Sequence, residues 1–162
     1  MKIRKINDND FDQVWEIIHK VVVTEETYSF DPDMTKDEAY KIWVTDPQVS
    51  YVVQHDDIIL GTYFLKPNFA GPGSHVCNCG YMVSEDSRGQ GIATQLCTHS
   101  QHEALALGYK AMLFGAVVST NKPAIYLWRK LGFDVVGVVP KAFRHKQLGY
   151  VDTYIMYKWL DE

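Results

Sequence analysis

The sequence has no apolar run of the roughly 18 residues that a membrane-spanning helix needs, and Met1 leads into charged residues rather than the apolar stretch of a secretory leader. Those absences make the cytoplasm the expected location and exclude a membrane-spanning helix, and no membrane partner is expected. Cysteine is scarce: Cys77, Cys79 and Cys97 are an odd number with two of them two positions apart, which argues against a disulfide framework and for reduced thiols. Positive charge is not in surplus either. Sixteen Lys and Arg against twenty Asp and Glu give a formal charge of −4, removing the bulk attraction on which a nucleic-acid binder relies. There is no internal repeat and no low-complexity tract. What remains is 162 residues, 46% apolar and 13% aromatic, the composition of one ordered domain over residues 1–162.

Along the chain, Lys2 to Ile6 alternates and ends in Asn7-Asp8-Asn9, which predicts a short strand and then a helix cap. Phe11, Val14, Trp15, Ile17, Ile18 and Val21 recur at threes and fours, the face of an amphipathic helix from about Asp10 to Val22. Residues 24–33 follow neither period and read as a loop rich in acids and aromatics, ahead of a second helix over Lys36 to about Thr45. Residues 50–54 and 58–66 form a predicted hairpin around His55-Asp56-Asp57. A strand over 76–84, a helix over 91–107, a strand over 111–118 and a helix from 121 or 122 to about 131 follow. The end reads as a strand over 133–139, a basic loop over 140–151 and a closing strand over 153–159. Helices alternate with strands while the front hairpin is antiparallel, so the fold class is α/β (α+β) with a mixed sheet.

One segment carries chemistry. Arg88-Gly89-Gln90-Gly91-Ile92-Ala93 lies between a predicted strand and a predicted helix. A glycine-bearing loop entering a helix exposes several backbone N–H groups to one point, and the helix dipole adds partial positive charge there. Arg88 adds a fixed charge and Ala93 permits close approach, so a phosphate-bearing cofactor is expected. The glycines could instead serve only a tight turn. No G-x-x-x-x-G-K-[ST] occurs, and a dinucleotide fingerprint fails because position 94 is Thr rather than Gly.

Arg88, Gly91 and Ala93 match the [RQ]-x-x-G-x-[GA] signature of the GCN5-related N-acetyltransferases (GNAT), which the chain resembles. Asn121 through Phe133 is similar to the same family's second motif, about 30 residues downstream, and the resemblance covers most of residues 58–160. It implies a mixed central sheet with a splayed pair of parallel strands flanked by helices, binding acetyl-CoA in the opening. By resemblance, the backbone of Met82, Val83 and Ser84 pairs with the pantetheine arm. The N–H groups of Arg88, Gly89, Gln90, Gly91, Ile92, Ala93 and Thr94 hold the pyrophosphate, and Asn121, Ala124 and Lys130 line the cofactor's other side. Tyr126 is the residue expected to protonate the departing thiolate.

Residues 61–80 resemble fungal acetyltransferases acting on azetidine-2-carboxylate, and residues 142–152 the closing segment of phosphinothricin-type acetyltransferases. Both resemblances imply a small amino-acid-like amine acceptor. The first makes Asn78 an acceptor-binding residue, although Gly115 stands where those fungal proteins carry an Asn. Glu25 and Glu26, in the front loop, are expected to bind the acceptor's ammonium or relay its proton, against the plainer reading of solvated acids. Arg144, with His145 and Lys146, is expected to meet an acceptor carboxylate. His75, Cys77 and Cys79 alternate as zinc ligands could, but no fourth ligand has a familiar spacing, so no metal is expected. Direct transfer to a small amine is the primary reading. A protein or peptide N-acetyltransferase and a non-catalytic acyl-CoA sensor stay open, as does a homodimer through the final strands.

Overall fold

A computed structural model describes residues 1–160. The strands are β1 (Lys2–Lys5), β2 (Val49–His55), β3 (Ile58–Pro67), β4 (Val76–Val83), β5 (Ala111–Val118), β6 (Asp134–His145) and β7 (Gly149–Trp159), and the helices are α1 (Phe11–Val22), α2 (Lys36–Tyr40), α3 (Ile92–Ala106) and α4 (Lys122–Lys130). The strands form one seven-stranded sheet in the order β1-β2-β3-β4-β5-β7-β6. Every pairing is antiparallel except β4 with β5. None of the described helices is long and apolar enough to cross a membrane.

The two faces of the sheet bury different sets of residues. One cluster joins Phe11, Val14, Ile18 and Trp43 to Val52, Phe64 and Met82, and the other joins Leu96 and Cys97 to Tyr63, Met112, Phe114 and Phe133. The predicted second helix runs as α2 and then widens over Lys41–Thr45 into a π-type turn. That turn delivers Trp43 to the core, where its indole N–H donates to Thr62 Oγ1 at 2.9 Å. On the other face the start of α3 lies so close to β3 that a Cβ on Gly61 would meet Leu96 Cδ1 at 3.1 Å and Ile92 Cγ2 at 3.2 Å.

The expected basic loop over 140–151 is corrected. β6 and β7 form one long hairpin that turns at Lys146–Leu148, with Phe143, Arg144 and His145 paired to Val151, Tyr150 and Gly149. Its register shifts between Val139 and Phe143, where Lys141 has φ 53° and donates its N–H to Asp152 Oδ1 at 2.9 Å. His145 Nδ1 accepts the N–H groups of Gln147 and Leu148 and so ties the turn.

Candidate active site

β4 and β5 are paired only over Val76–Asn78 and Ala111–Leu113. At the last of those positions the Asn78 side-chain amide donates to the Leu113 carbonyl at 3.0 Å, standing like a wedge where the strands part. The direction of the free edge follows from register. Val76 accepts from Asn68 and Ser84 donates to Leu60, and both pairs sum to the same value as the β3–β4 partners. Even-numbered residues of β4 therefore spend their backbone groups on β3, and Tyr81 and Val83 turn theirs toward the gap, which corrects the expected backbone pairing of Met82, Val83 and Ser84 with a ligand: only Val83 of the three has its backbone turned that way.

The gap opens beside the start of α3. Gly89 and Gly91 have φ 77° and 75°, and a Cβ on either would meet nothing within 4 Å. Left-handed backbone favours glycine at both places. Gly91 is the N-cap and offers no side chain to the first turn, whose earliest N–H to reach an intrahelical carbonyl is that of Gln95, on Gly91. The N–H groups of Ile92, Ala93 and Thr94 thus point at the loop, as an anion requires. Arg88 is exposed beside them.

A cavity of about 660 Å³ runs from Arg88 along Met82, Val83 and Ser84 to Asn121 and Pro123, with Gln13, Glu16 and Lys20 of α1 as its outer wall. A second cavity of about 360 Å³ lies beneath the front loop, floored by Phe64, Lys66, Asn78 and Gly80 and walled by Phe30, Phe114 and Trp128. Gly80 is small for a reason: a Cβ there would stand 2.6 Å from Phe64 Cε1. Thr27, Tyr28, Tyr81 and Asn121 border both cavities.

The expected residues divide. Met82, Val83, Ser84, Arg88 and Asn121 border the larger cavity, and Asn78, Asn121 and Ala124 the smaller. Glu26 borders the larger cavity and not the smaller one, while Glu25 borders neither and has φ 53° three residues past the end of α1. Tyr126 is 73% exposed and borders neither cavity. At 3.6 residues per turn it lies about 200° from both Ala124 and Trp128, so Trp128 faces the cleft and Tyr126 faces away. Lys130 is exposed at the far end of α4, and Arg144 is exposed on β6, both away from the cavities. Cys77, Cys79 and Cys97 are buried free thiols. Burial pushes Cys77 up to about 12, which leaves it neutral and poorly nucleophilic. Among the described residues no group of three or more His, Cys, Asp or Glu is gathered for a metal ion.

Two residues went unnoticed in the sequence. Among the described residues Lys66 is the one charged side chain bordering the smaller cavity; it sits opposite Asn78 in the β3–β4 register, with its Nζ 5.4 Å from the Phe64 ring centre. Tyr28 meets the open edge of β4, accepting from the Tyr81 N–H at 2.9 Å and donating to the Tyr81 carbonyl at 2.5 Å.

A bare helix start beside a parted strand pair, joined to a second cavity, suits a protein that binds a phosphate-bearing ligand next to a smaller molecule. The family model of the acetyltransferase (GNAT) family matches residues 14–133, and the chain belongs to that family. Members of that family are N-acetyltransferases, and acetyl-CoA is the family's donor. It is 33% identical over 147 residues to the N-acetyltransferase aca1 of Schizosaccharomyces pombe, a match that covers 80% of this chain and 70% of that protein. A GCN5-related N-acetyltransferase from Kribbella flavida is 37% identical with a TM-score of 0.93, covering 98% of this chain and 97% of that one. An acetyltransferase from Salmonella typhimurium solved with acetyl-CoA shares the fold at a TM-score of 0.84 and 22% identity, covering 100% of this chain and 95% of that one. Fit to the donor is a matter of this chain's own backbone: two left-handed glycines, three N–H groups at the start of α3 and an elongated cavity leading to the junction.

Proposed function

We propose that this enzyme acetylates the primary or secondary amine of a small, amino-acid-like molecule by direct attack, with the larger cavity taking the donor and the smaller one the acceptor. The observation that carries the reading is the smaller cavity, about 360 Å³ with Lys66 as the one charged wall among the described residues. A lone ammonium among apolar rings favours an acceptor bearing a carboxylate. Asn78 sits opposite Lys66, and its amide nitrogen carries two hydrogens, one of which goes to Leu113. The second suits the same carboxylate.

Bound acetyl-CoA supplies an activated thioester carbonyl, and the chain has to present a neutral amine to it. An alkylammonium with an ordinary pKa of 10.4 costs about 4.6 kcal/mol to deprotonate at pH 7. Phe30, Phe64, Phe114 and Trp128 surround the acceptor with apolar surface, which disfavours the charged form and lowers that cost. Among the described residues no acid borders this cavity, so nothing in that wall holds the ammonium back. Glu26, on the larger cavity beside Thr27 and Tyr28, is our candidate to take up the proton through water.

A free-thiol release assay with acetyl-CoA tests the reading against amino acids, proline analogues, phosphinothricin, polyamines and peptides. Carboxylated small amines are expected to be the best acceptors, and Lys66→Met to lower their kcat/KM by about tenfold to a hundredfold, as loss of a charged hydrogen bond would. Amines without a carboxylate should be nearly indifferent to the substitution. A peptide as the best acceptor would refute the small-molecule reading, and a blank with every amine would favour a non-catalytic sensor.

A further inference from the structure

Tyr28 behaves as a missing strand. Its hydroxyl accepts from the N–H and donates to the carbonyl of one residue, Tyr81, at 2.9 and 2.5 Å. Those are the groups that β5 would satisfy had it not turned away after Leu113. The ring is held by stacking on Phe30, with centres 5.5 Å apart and planes 14° from parallel. Burial raises the phenol well above its usual ionisation range, with the Tyr81 backbone bond working in the opposite sense. It is therefore a neutral hydrogen-bonding group, poorly suited to protonate a thiolate whose ordinary pKa is near 8.5.

Place gives the contact its meaning. Tyr28 and Tyr81 border both cavities, so their hydrogen bonds lie where the donor's carbonyl and the acceptor's amine must meet. A carbonyl under attack gathers negative charge on oxygen and gains most from a fixed N–H aimed at it. The Tyr81 N–H faces that junction and is engaged by Tyr28.

We propose that Tyr28 is a positioning residue that occupies the Tyr81 N–H in the ligand-free enzyme and yields it to the acetyl carbonyl of the donor, thereby setting how the site distinguishes acetyl-CoA from CoA. It rests on the assignment of the larger cavity to the donor. Free CoA has no acetyl carbonyl and leaves the Tyr28 hydroxyl in place, whereas the acetylated donor has to displace it. Without the hydroxyl, the Tyr81 peptide is unsatisfied in the ligand-free protein, and only the acetylated ligand relieves its N–H.

The test is calorimetric titration of acetyl-CoA and CoA into the wild type, Tyr28→Phe and Arg88→Ala, with the wild-type Tyr81 amide followed by nitrogen-15 NMR. Tyr28→Phe should bind acetyl-CoA about tenfold more tightly and CoA as before. In the wild type, acetyl-CoA should move the Tyr81 amide resonance and CoA should not. Equal changes for both ligands, weaker acetyl-CoA binding in Tyr28→Phe, or a Tyr81 amide that answers both ligands alike would overturn the proposal. Arg88→Ala should weaken both ligands. If it weakens neither, the donor-cavity assignment fails and takes the proposal with it, whereas failure in the Tyr28 arms alone leaves that assignment standing.

Discussion

The helices α3 and α4 each follow one of the two strands that part, and their first turns are finished in opposite ways. α4 has Asn121 as its N-cap, with Oδ1 accepting from the Ala124 N–H at 3.4 Å, and Pro123 in its first turn. α2 is closed by reciprocal bonds between Thr35 and Glu38, and the short turn before α1 by reciprocal bonds between Asn7 and Asp10. Only α3 among the four starts on a glycine with no side chain to spare. Helix ends that need only be stable are capped from within, while the end proposed to receive the donor's phosphates is left bare. A low intrinsic stability at that turn is the cost of a ready anion site.

The sharpest way to break the contrast is Gly91→Val. A β-branched residue at φ 75° strains the backbone by about 1–2 kcal/mol and crowds the N–H cradle. Acetyl-CoA affinity should fall about a hundredfold with the fold retained, read by calorimetry and circular dichroism. Asn121→Ala probes the other helix and should exchange the pattern. Stability falls by about 1 kcal/mol, or roughly 2–4 °C in Tm, with a smaller loss of donor affinity than Gly91→Val produces. The smallest effect concerns the cap before α1. Arg4 bonds both Asp10 oxygens, at 2.7 and 2.8 Å, and that bond holds the Asp10 carboxyl below its usual range, against the opposing pull of burial. The folded state thus binds that proton less readily than the unfolded chain. Its stabilisation is present above the ordinary carboxylate range near pH 4 and is lost as the pH falls below it. The Tm difference between the wild type and Asp10→Asn should be present at pH 7 and close below about pH 4.

Where one face of an element is buried and the other wet, its period showed in the sequence. α1 buries Phe11, Val14, Ile17 and Ile18, the spacing that predicted it, and the Arg88–Ala93 loop was legible because its glycines answer a local backbone need. The β6–β7 hairpin was not. β6 is mostly exposed, contains Pro140 and shifts register before Phe143, so it carries neither clean alternation nor a turn signal at the true turn. Arg144 was misplaced for the same reason. Tyr126 was chosen by its distance from Asn121 along the chain, but the rotation of the helix gives the inward position to Trp128. Lys66 becomes visible only once register sets it across from Asn78. Tyr28 acts on a residue 53 positions away, a distance that no local pattern encodes.

The sheet order carries a last consequence, for the way the molecule assembles. β7 is the last strand in the chain, yet it lies between β5 and β6, pairing Ala111–Val118 on one side and Asp134–His145 on the other. β6 therefore has no place in the sheet until β7 arrives. Closure waits on contacts between residues more than thirty positions apart, the long-range kind that slows folding. Until then β5 presents an open edge to any other extended chain. The turn of that late hairpin also anchors the front loop, through the Lys146 N–H to the Glu25 carbonyl at 3.2 Å. The proposed roof over the acceptor is thus tied to the hairpin that completes this end of the sheet.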